Sequence, residues 1–247
     1  MPNTSNSNKV FGIDLIQSED GLKLGTDAFL LSAYIKENKK AWGLEMGAGS
    51  GVISLLLAAR SCFARISAIE LQPEMTQIMI KNIENNGFQE LISAECADVR
   101  KLDNEKYKGV SVVFANPPYM KTDSGKSCPG SIRQTSRHET HGGVYDFCLA
   151  ASKVLKTGGK LYLVYRPDRL QTLITSLEKT GFCAKRMTLV CSDLKHSPSS
   201  VLVEAVLGGK ESLYMTKPLL LMENGNESAD CKYIYQHGVF PPEFQKN

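Results

Sequence analysis

Asn116-Pro117-Pro118-Tyr119 is the stretch of this 247-residue chain whose residue types most narrow the chemistry. An amino group conjugated to a ring or a carbonyl is a poor nucleophile, because its lone pair is delocalised. Two acceptors set on its hydrogens, the Asn116 side-chain oxygen and the Pro117 carbonyl, would hold the nitrogen and favour its charged, tetrahedral transition state. The two prolines restrict the loop and keep Asn116 extended, so the acceptors are preorganised. Tyr119 can stack on a planar target. An Asn-Pro-Pro stretch can also do no more than stop a strand. Here it follows Val110–Ala115, a nearly all-apolar run, and lies downstream of a glycine turn and several acids. The four residues therefore form a candidate catalytic set for an exocyclic amino nitrogen, with a base and an amide both open as its carrier.

The glycine turn is Glu45-Met-Gly47-Ala-Gly49-Ser-Gly51. Glycines between a strand and a helix let the backbone turn tightly and approach a ligand, with free N–H groups at the helix start. Dinucleotide-binding enzymes use such a turn too, but the pattern here is G-x-G-x-G and lacks the last spacing of G-x-G-x-x-G. Glu70 ends the second strand, where a carboxylate can accept both ribose hydroxyls. Asp98 follows the third strand and could accept from an adenine amino group. Glu45, near the end of the first strand, would sit beside a cationic amino-acid end. Each acid could instead be a solvated strand end or a helix cap. Acids on successive strand ends suit a nucleoside carrying a cationic amino acid, as in S-adenosylmethionine, and suit a pyrophosphate badly.

These residues need a scaffold, and the apolar pattern supplies one. Strand-like runs are expected at Gly43–Met46, Ile66–Glu70, Leu91–Cys96, Val110–Ala115, Lys160–Tyr165, Arg186–Cys191 and Val201–Leu207. Helices are expected at Val52–Arg60, Pro73–Asn86, Tyr145–Leu155 and Asp168–Thr180. Strands alternating with helices imply right-handed crossovers and an α/β, Rossmann-like three-layer sandwich. The sheet should be seven-stranded and mostly parallel, with helices on both faces. No helix separates the last two strands, so that edge should be antiparallel. The expected division is a short N-terminal segment (1–36), a main domain (37–209) and a C-terminal tail (210–247). The tail suggests a small hairpin, Pro218–Met222 with Lys232–Tyr235, around Asn224-Gly225.

Composition excludes some classes and permits others. Apolar residues make up 42% and charged residues 22%, ordinary for a globular domain. No apolar run approaches the roughly 20 residues that span a bilayer, and Met1 to Asn8 lacks a secretory pattern, so a cytoplasmic protein is expected. The seven cysteines form no C-x-x-C pair and suggest neither a disulfide framework nor a zinc site; no metal is expected. Cys62, Cys96, Cys148 and Cys183 lie among apolar neighbours and read as small hydrophobes. The net charge of +3 permits a nucleic-acid partner without requiring one.

Asn-Pro-Pro-Tyr after strand four, with Glu-x-Gly-x-Gly-x-Gly after strand one, resembles the amino-group methyltransferases of adenine N6 and of release-factor glutamine. Gly25-Thr-Asp27-Ala-Phe-Leu-Leu31, Ser136-Arg137-His138-Glu139, Val164-Tyr-Arg166-Pro167-Asp-Arg169-Leu and Val201-Leu-Val-Glu204-Ala narrow it further. They resemble the tRNA adenine-N6 methyltransferases acting on the adenine 3′ of the anticodon in a valine tRNA. The resemblance implies a class I methyltransferase fold, S-adenosylmethionine as cofactor and tRNA as partner, with a monomer as the expected state.

It further implies that Thr26 and Asp27 close over the cofactor, which Glu45, Gly47, Gly49, Gly51, Glu70, Leu71, Asp98, Val99 and Asn116 would bind. Asn116, Pro117, Pro118 and Tyr119 would hold the flipped base. Lys121, Lys126, Arg133, Arg137, His138 and Arg166 would approach RNA. Arg166 and Arg169 are equally suited to salt bridges. His138 is expected to orient or touch phosphate rather than act as a base, because the methylated amine can lose its proton to solvent. His141, Lys153 and Lys156 read as solvated surface. Relatives usually carry a Gly-Lys loop before the penultimate strand; this chain has Asp193-Leu-Lys195-His196-Ser-Pro-Ser-Ser200.

Two other readings stay open. A glutamine-N5 methyltransferase would use the same four-residue loop but usually brings a helical N-terminal domain, and fewer than 40 residues precede the first strand here. A catalytically silent cofactor- or RNA-binding module is the reading from another class.

Overall fold

The computed structural model describes residues 12–16, 25–118 and 143–245. Helix α1 (Thr26–Tyr34) precedes β1 (Asn38–Met46), α2 (Val52–Ala59), β2 (Phe63–Glu70), α3 (Pro73–Asn85) and β3 (Ile92–Cys96). After β4 (Val112–Ala115) come α4 (Val144–Val154), β5 (Lys160–Tyr165), α5 (Leu170–Lys179), β6 (Phe182–Cys191) and β7 (Ser200–Leu207). The tail contributes the two-residue strands β8 (Tyr214–Met215) and β9 (Leu219–Leu220). Then follow β10 (Met222–Glu223), β11 (Asn226–Glu227) and α6 (Ala229–His237).

The main sheet runs β3-β2-β1-β4-β5-β7-β6-β8, with β9 also on β6. Strands β1 to β5 are parallel, and β7 is antiparallel to both β5 and β6, as the missing helix between the last two expected strands required. Side-chain alternation divides the core into two layers. Leu44, Met46, Ile69, Val113 and Leu163 point towards α4 and α5. Ile66, Ala68, Phe114, Tyr162 and Val164 point towards α1, α2 and α3. Chain order along the sheet reverses at β1, which has β2 on one side and β4 on the other. A parallel sheet opens its ligand crevice at such a point, beyond the strands' carboxyl ends.

Seven strands lie where they were expected, but among the described residues the sheet has nine. The additions, β8 and β9, pair parallel with β6 and cover the edge it would otherwise expose. The expected tail hairpin is corrected. The observed one joins only Met222–Glu223 to Asn226–Glu227, around Asn224 and Gly225, both with positive φ. Lys232–Tyr235 is not a strand but the middle of α6. Ser228 caps that helix by accepting the Cys231 N–H at 3.0 Å, and Gly238 ends it in a left-handed conformation. Tyr235 stacks on Phe29 of α1 with ring centroids 4.6 Å apart.

Buried Arg186 ties the tail and α1 to the sheet. It pairs with Glu204 at 3.1 Å and donates to the carbonyls of Tyr34 and Phe244. Among the cysteines, Cys62 and Cys148 are buried, as are Cys191 and Cys231, whereas Cys96 is exposed and Cys183 partly so. No described helix is long and apolar enough to cross a membrane.

Candidate active site

The site forms where the register of three strands brings their ends together. Met46 pairs with Ala115 across β1 and β4, whose strands lie about 4.8 Å apart, so Gly47 and Asn116 leave the sheet from adjacent positions. On the other flank Met46 pairs with Ile69, so Glu70 lies beside Gly47. Glu70 in turn pairs with Cys96, two residues before Asp98. Asp98, Glu70, Gly47 and Asn116 thus follow one another along the carboxyl edge, and Arg166 follows β5 on the same edge.

The glycine turn is tightly held. Gly47, Gly49 and Gly51 all have positive φ. Gly49 donates its N–H to Glu70 Oε2 at 2.8 Å, and Gln72 donates its N–H to Glu70 Oε1 at 2.9 Å. The Glu70 carboxylate is therefore fixed by two backbone donors, with lone pairs left for a ligand. A Cβ on Gly49 would meet nothing within 4 Å, whereas one on Gly51 would lie 2.8 Å from Met79 Cγ. The turn is open at Gly49 and closed against α3 at Gly51.

Glu45 sits below the rim rather than on it. Its side chain points into the α2 layer, 1% exposed. Oε2 accepts the Ser54 N–H at 2.9 Å and also the Ser54 hydroxyl. Burial pushes its carboxyl up to about 8, the Ser54 donations opposing this and the nearby Glu70 charge adding to it. The sequence expectation had it beside a ligand's cationic end. The alternation of β1 directs it to α2 instead, where the N-terminal turn of that helix supplies its partners.

Asp98 caps the 3-10 turn Val99–Lys101 by accepting the Arg100 N–H, and pairs with the Arg100 guanidinium at 2.7 Å. Those bonds hold its carboxyl below the usual range. Val99 is buried and Leu71 half-buried. Thr26 is exposed and Asp27 half-buried at the start of α1. Asn116 is half-buried, Pro117 buried and Pro118 exposed. Arg166 forms a two-pronged pair with Asp168, at 2.9 and 3.0 Å. Tyr119, Lys121, Lys126, Arg133, Arg137, His138 and His141 lie outside the described residues.

Three supporting residues escaped the sequence reading: Ser54 under Glu45, Met79 against Gly51, and Asn82, which donates to the Ser50 carbonyl at 3.0 Å. A signal for the last existed. Asn82 lies inside a helix, where asparagine is a poor former, so its presence there marks a position worth relating to a partner beyond the helix. The Asp193–Ser200 loop is also built locally: Asp193 Oδ1 accepts the Lys195 N–H at 2.7 Å and the His196 N–H at 3.1 Å.

This arrangement can hold a nucleoside-like ligand on the glycine turn with its reactive end towards Asn116. The family model described as Methyltransferase small domain matches residues 10–182. A curated relative from Bacteroides fragilis, named tRNA1(Val) (adenine(37)-N6)-methyltransferase, is 30% identical over 186 residues, 74% of this chain and 76% of its own. A Histophilus somni protein of the same name is 32% identical, over 70% of this chain and 72% of its own. A solved structure from Agrobacterium tumefaciens, described as a predicted O-methyltransferase, superimposes with a TM-score of 0.69 at 21% identity. It covers 87% of this chain and 98% of that one, and shows the shared fold. With this match spanning glycine turn, acids and Asn-Pro-Pro loop alike, the chain belongs to the methyltransferase small domain family.

Proposed function

We propose that this chain is an S-adenosylmethionine-dependent tRNA methyltransferase that modifies N6 of an adenine, the one 3′ of the anticodon in a valine tRNA. The observation that carries the reading is the Met46–Ala115 register, which sets the glycine turn beside Asn116. The names of the relatives support the substrate.

The residues present fit the cofactor. Open space in front of Gly49 and the doubly anchored Glu70 carboxylate suit a ribose with two hydroxyls. Leu71 and Val99 would line the adenine, with Asp98 accepting from its amino group once Arg100 yields. Glu45 would brace the first turn of α2, which opens directly after Gly51, through Ser54. Thr26 and Asp27 would close over the site. When bound, S-adenosylmethionine supplies a methyl group on a sulfonium centre.

The chain's own work is to present the nucleophile. The Asn116 side-chain oxygen and the Pro117 carbonyl accept the two hydrogens of the adenine amino group, so its lone pair is turned out of conjugation and aimed at the cofactor. Pro117 and Pro118 keep these acceptors from rearranging, and Tyr119 stacks on the extruded base. A loop base is already unpaired or nearly so, and extruding it costs only about a few kcal/mol. Lys121, Lys126, Arg133, Arg137, His138 and Arg166 would steer the RNA. A monomer acting in the cytoplasm, without a metal, completes the proposal.

The test is incubation with labelled S-adenosylmethionine and bulk tRNA from a strain lacking the modification, followed by nucleoside mass spectrometry. N6-methyladenosine should appear with the wild type and not with Asn116→Ala. Label entering release factor, and not tRNA, would overturn the proposal.

A further inference from the structure

Residues 13–16 lie along helix α3 as a short strap that follows a turn at Gly12. Ile13 and Leu15 are buried in the core that α1, α2 and α3 share, and the alternate residues Asp14 and Ile16 are exposed. The backbone of those two residues is held by two asparagine side chains. Asn86 Oδ1 accepts the Asp14 N–H at 2.9 Å, and Asn86 Nδ2 donates to the Asp14 carbonyl at 2.8 Å. Asn82 does the same for Ile16, at 2.7 and 3.1 Å.

The spacing explains why this works. Four residues of helix rise about 6 Å, and two residues of strand advance about 6.6 Å. Side-chain amides at i and i+4 therefore meet alternate residues of an extended segment, much as a neighbouring strand's backbone would.

Asn82 differs from Asn86 in its third bond. Its other Nδ2 hydrogen goes to the Ser50 carbonyl of the glycine turn at 3.0 Å, while that of Asn86 goes to the Asn82 carbonyl. Asn82 is fully buried, so it has no water to fall back on. One rigid amide plane thus grips the strap with its oxygen and one hydrogen, and the glycine turn with the other hydrogen. If the strap leaves, the Asn82 Oδ1 and one Nδ2 hydrogen lose their partners, and the amide is free to rotate away from Ser50.

We propose that Asn82 is a positioning residue that couples docking of the Asp14–Ile16 strap to the shape of the cofactor turn. Cofactor binding therefore tightens the strap, and by reciprocity a docked strap raises cofactor affinity. This rests on the glycine turn being the cofactor site.

The experiment combines calorimetric titration of the full chain with S-adenosylhomocysteine and amide hydrogen exchange at Asp14 and Ile16. Asn86→Ala is the main variant, because Asn86 holds the strap without touching the glycine turn. It should weaken S-adenosylhomocysteine binding about five-fold or more while leaving the KM for tRNA unchanged. In the wild type the ligand should slow exchange at both amides. Asn82→Ala should lose that ligand-dependent protection, and adding Asn86→Ala to it should weaken binding no further, as a double-mutant cycle requires when one residue carries the link. Unchanged affinity in Asn86→Ala together with exchange indifferent to the ligand would overturn the coupling. Glu70→Ala separates the two levels: if it leaves affinity intact, the turn is not the cofactor site, and if it weakens binding about ten-fold or more while Asn86→Ala does nothing, only the coupling fails.

Discussion

Glu70, the last residue of β2, and Gly49, in the turn after β1, are joined by a 2.8 Å hydrogen bond from the glycine N–H to the carboxylate. The bond makes the acid part of the turn that it faces, and the Gln72 N–H completes its anchorage. Glu70→Ala should therefore remove both a ligand acceptor and a brace of the turn. Hydrogen bonds to charged groups contribute about 1.5–3 kcal/mol, so cofactor affinity should fall roughly ten- to a hundred-fold in calorimetric titration. Affinity for tRNA should hardly change.

Asn116→Ala should act on turnover rather than on cofactor binding. By analogy with lost oxyanion-hole donors, removing one partner of the reacting group costs about 2.7–4 kcal/mol, or roughly a hundred- to a thousand-fold in kcat. Tyr119→Ala should also spare the cofactor and depress tRNA turnover, with about 1–3 kcal/mol of stacking lost. Single-turnover methylation beside cofactor titration checks both variants; parallel loss of cofactor binding in Tyr119→Ala would mean that its role is misassigned.

Two glycines two residues apart should respond differently to alanine. Gly49→Ala incurs the left-handed backbone penalty, about 1–2 kcal/mol, but its methyl enters open space where the ligand belongs. Cofactor affinity should therefore drop more than stability does. Gly51→Ala adds a collision, with its Cβ 2.8 Å from Met79 Cγ, and should lower the melting temperature more than Gly49→Ala does. Thermal melts paired with titration distinguish the two.

The buried Glu45 carboxyl predicts a pH dependence. Burial raises it from near 4.5 to about 8, so between those values the folded chain keeps a proton that the unfolded chain releases. Its contribution to stability is complete below pH 4.5 and is lost as pH rises towards 8. Glu45→Gln has no such proton to lose and keeps an oxygen for Ser54. The stability gap in favour of the variant should widen from pH 5.5 to 8, by at most about 1.4 kcal/mol per pH unit, in urea unfolding.

Much of this was legible along the chain. Apolar runs such as Val112–Ala115 and Lys160–Tyr165, bounded by turn residues, mark buried parallel strands because both faces must be covered. Strands β8 and β9 were not legible, since two-residue pairings carry no periodicity and exist only because β6 offers a free edge. Lys232–Tyr235, expected as a strand, belongs to helix α6, for which Ser228, Asp230 and Gly238 are start and stop signals. Ile234 and Cys231 face the core at helical spacing.

The sequence by itself determined which groups are available: an Asn-Pro-Pro loop after a buried strand, a glycine turn, and acids near three strand ends. Residue type and local order suffice for that, because backbone restriction and hydrogen-bonding capacity are local properties. Only the tertiary structure decided what each group faces. Side-chain alternation along β1 sends Glu45 beneath the turn, and the Met46–Ala115 register sets Gly47 beside Asn116. Packing of α3 against both the strap and the glycine turn gives Asn82 partners at Ile16 and Ser50. Those contacts join residues far apart in the chain, and their geometry is set by the packing of whole elements rather than by any local preference.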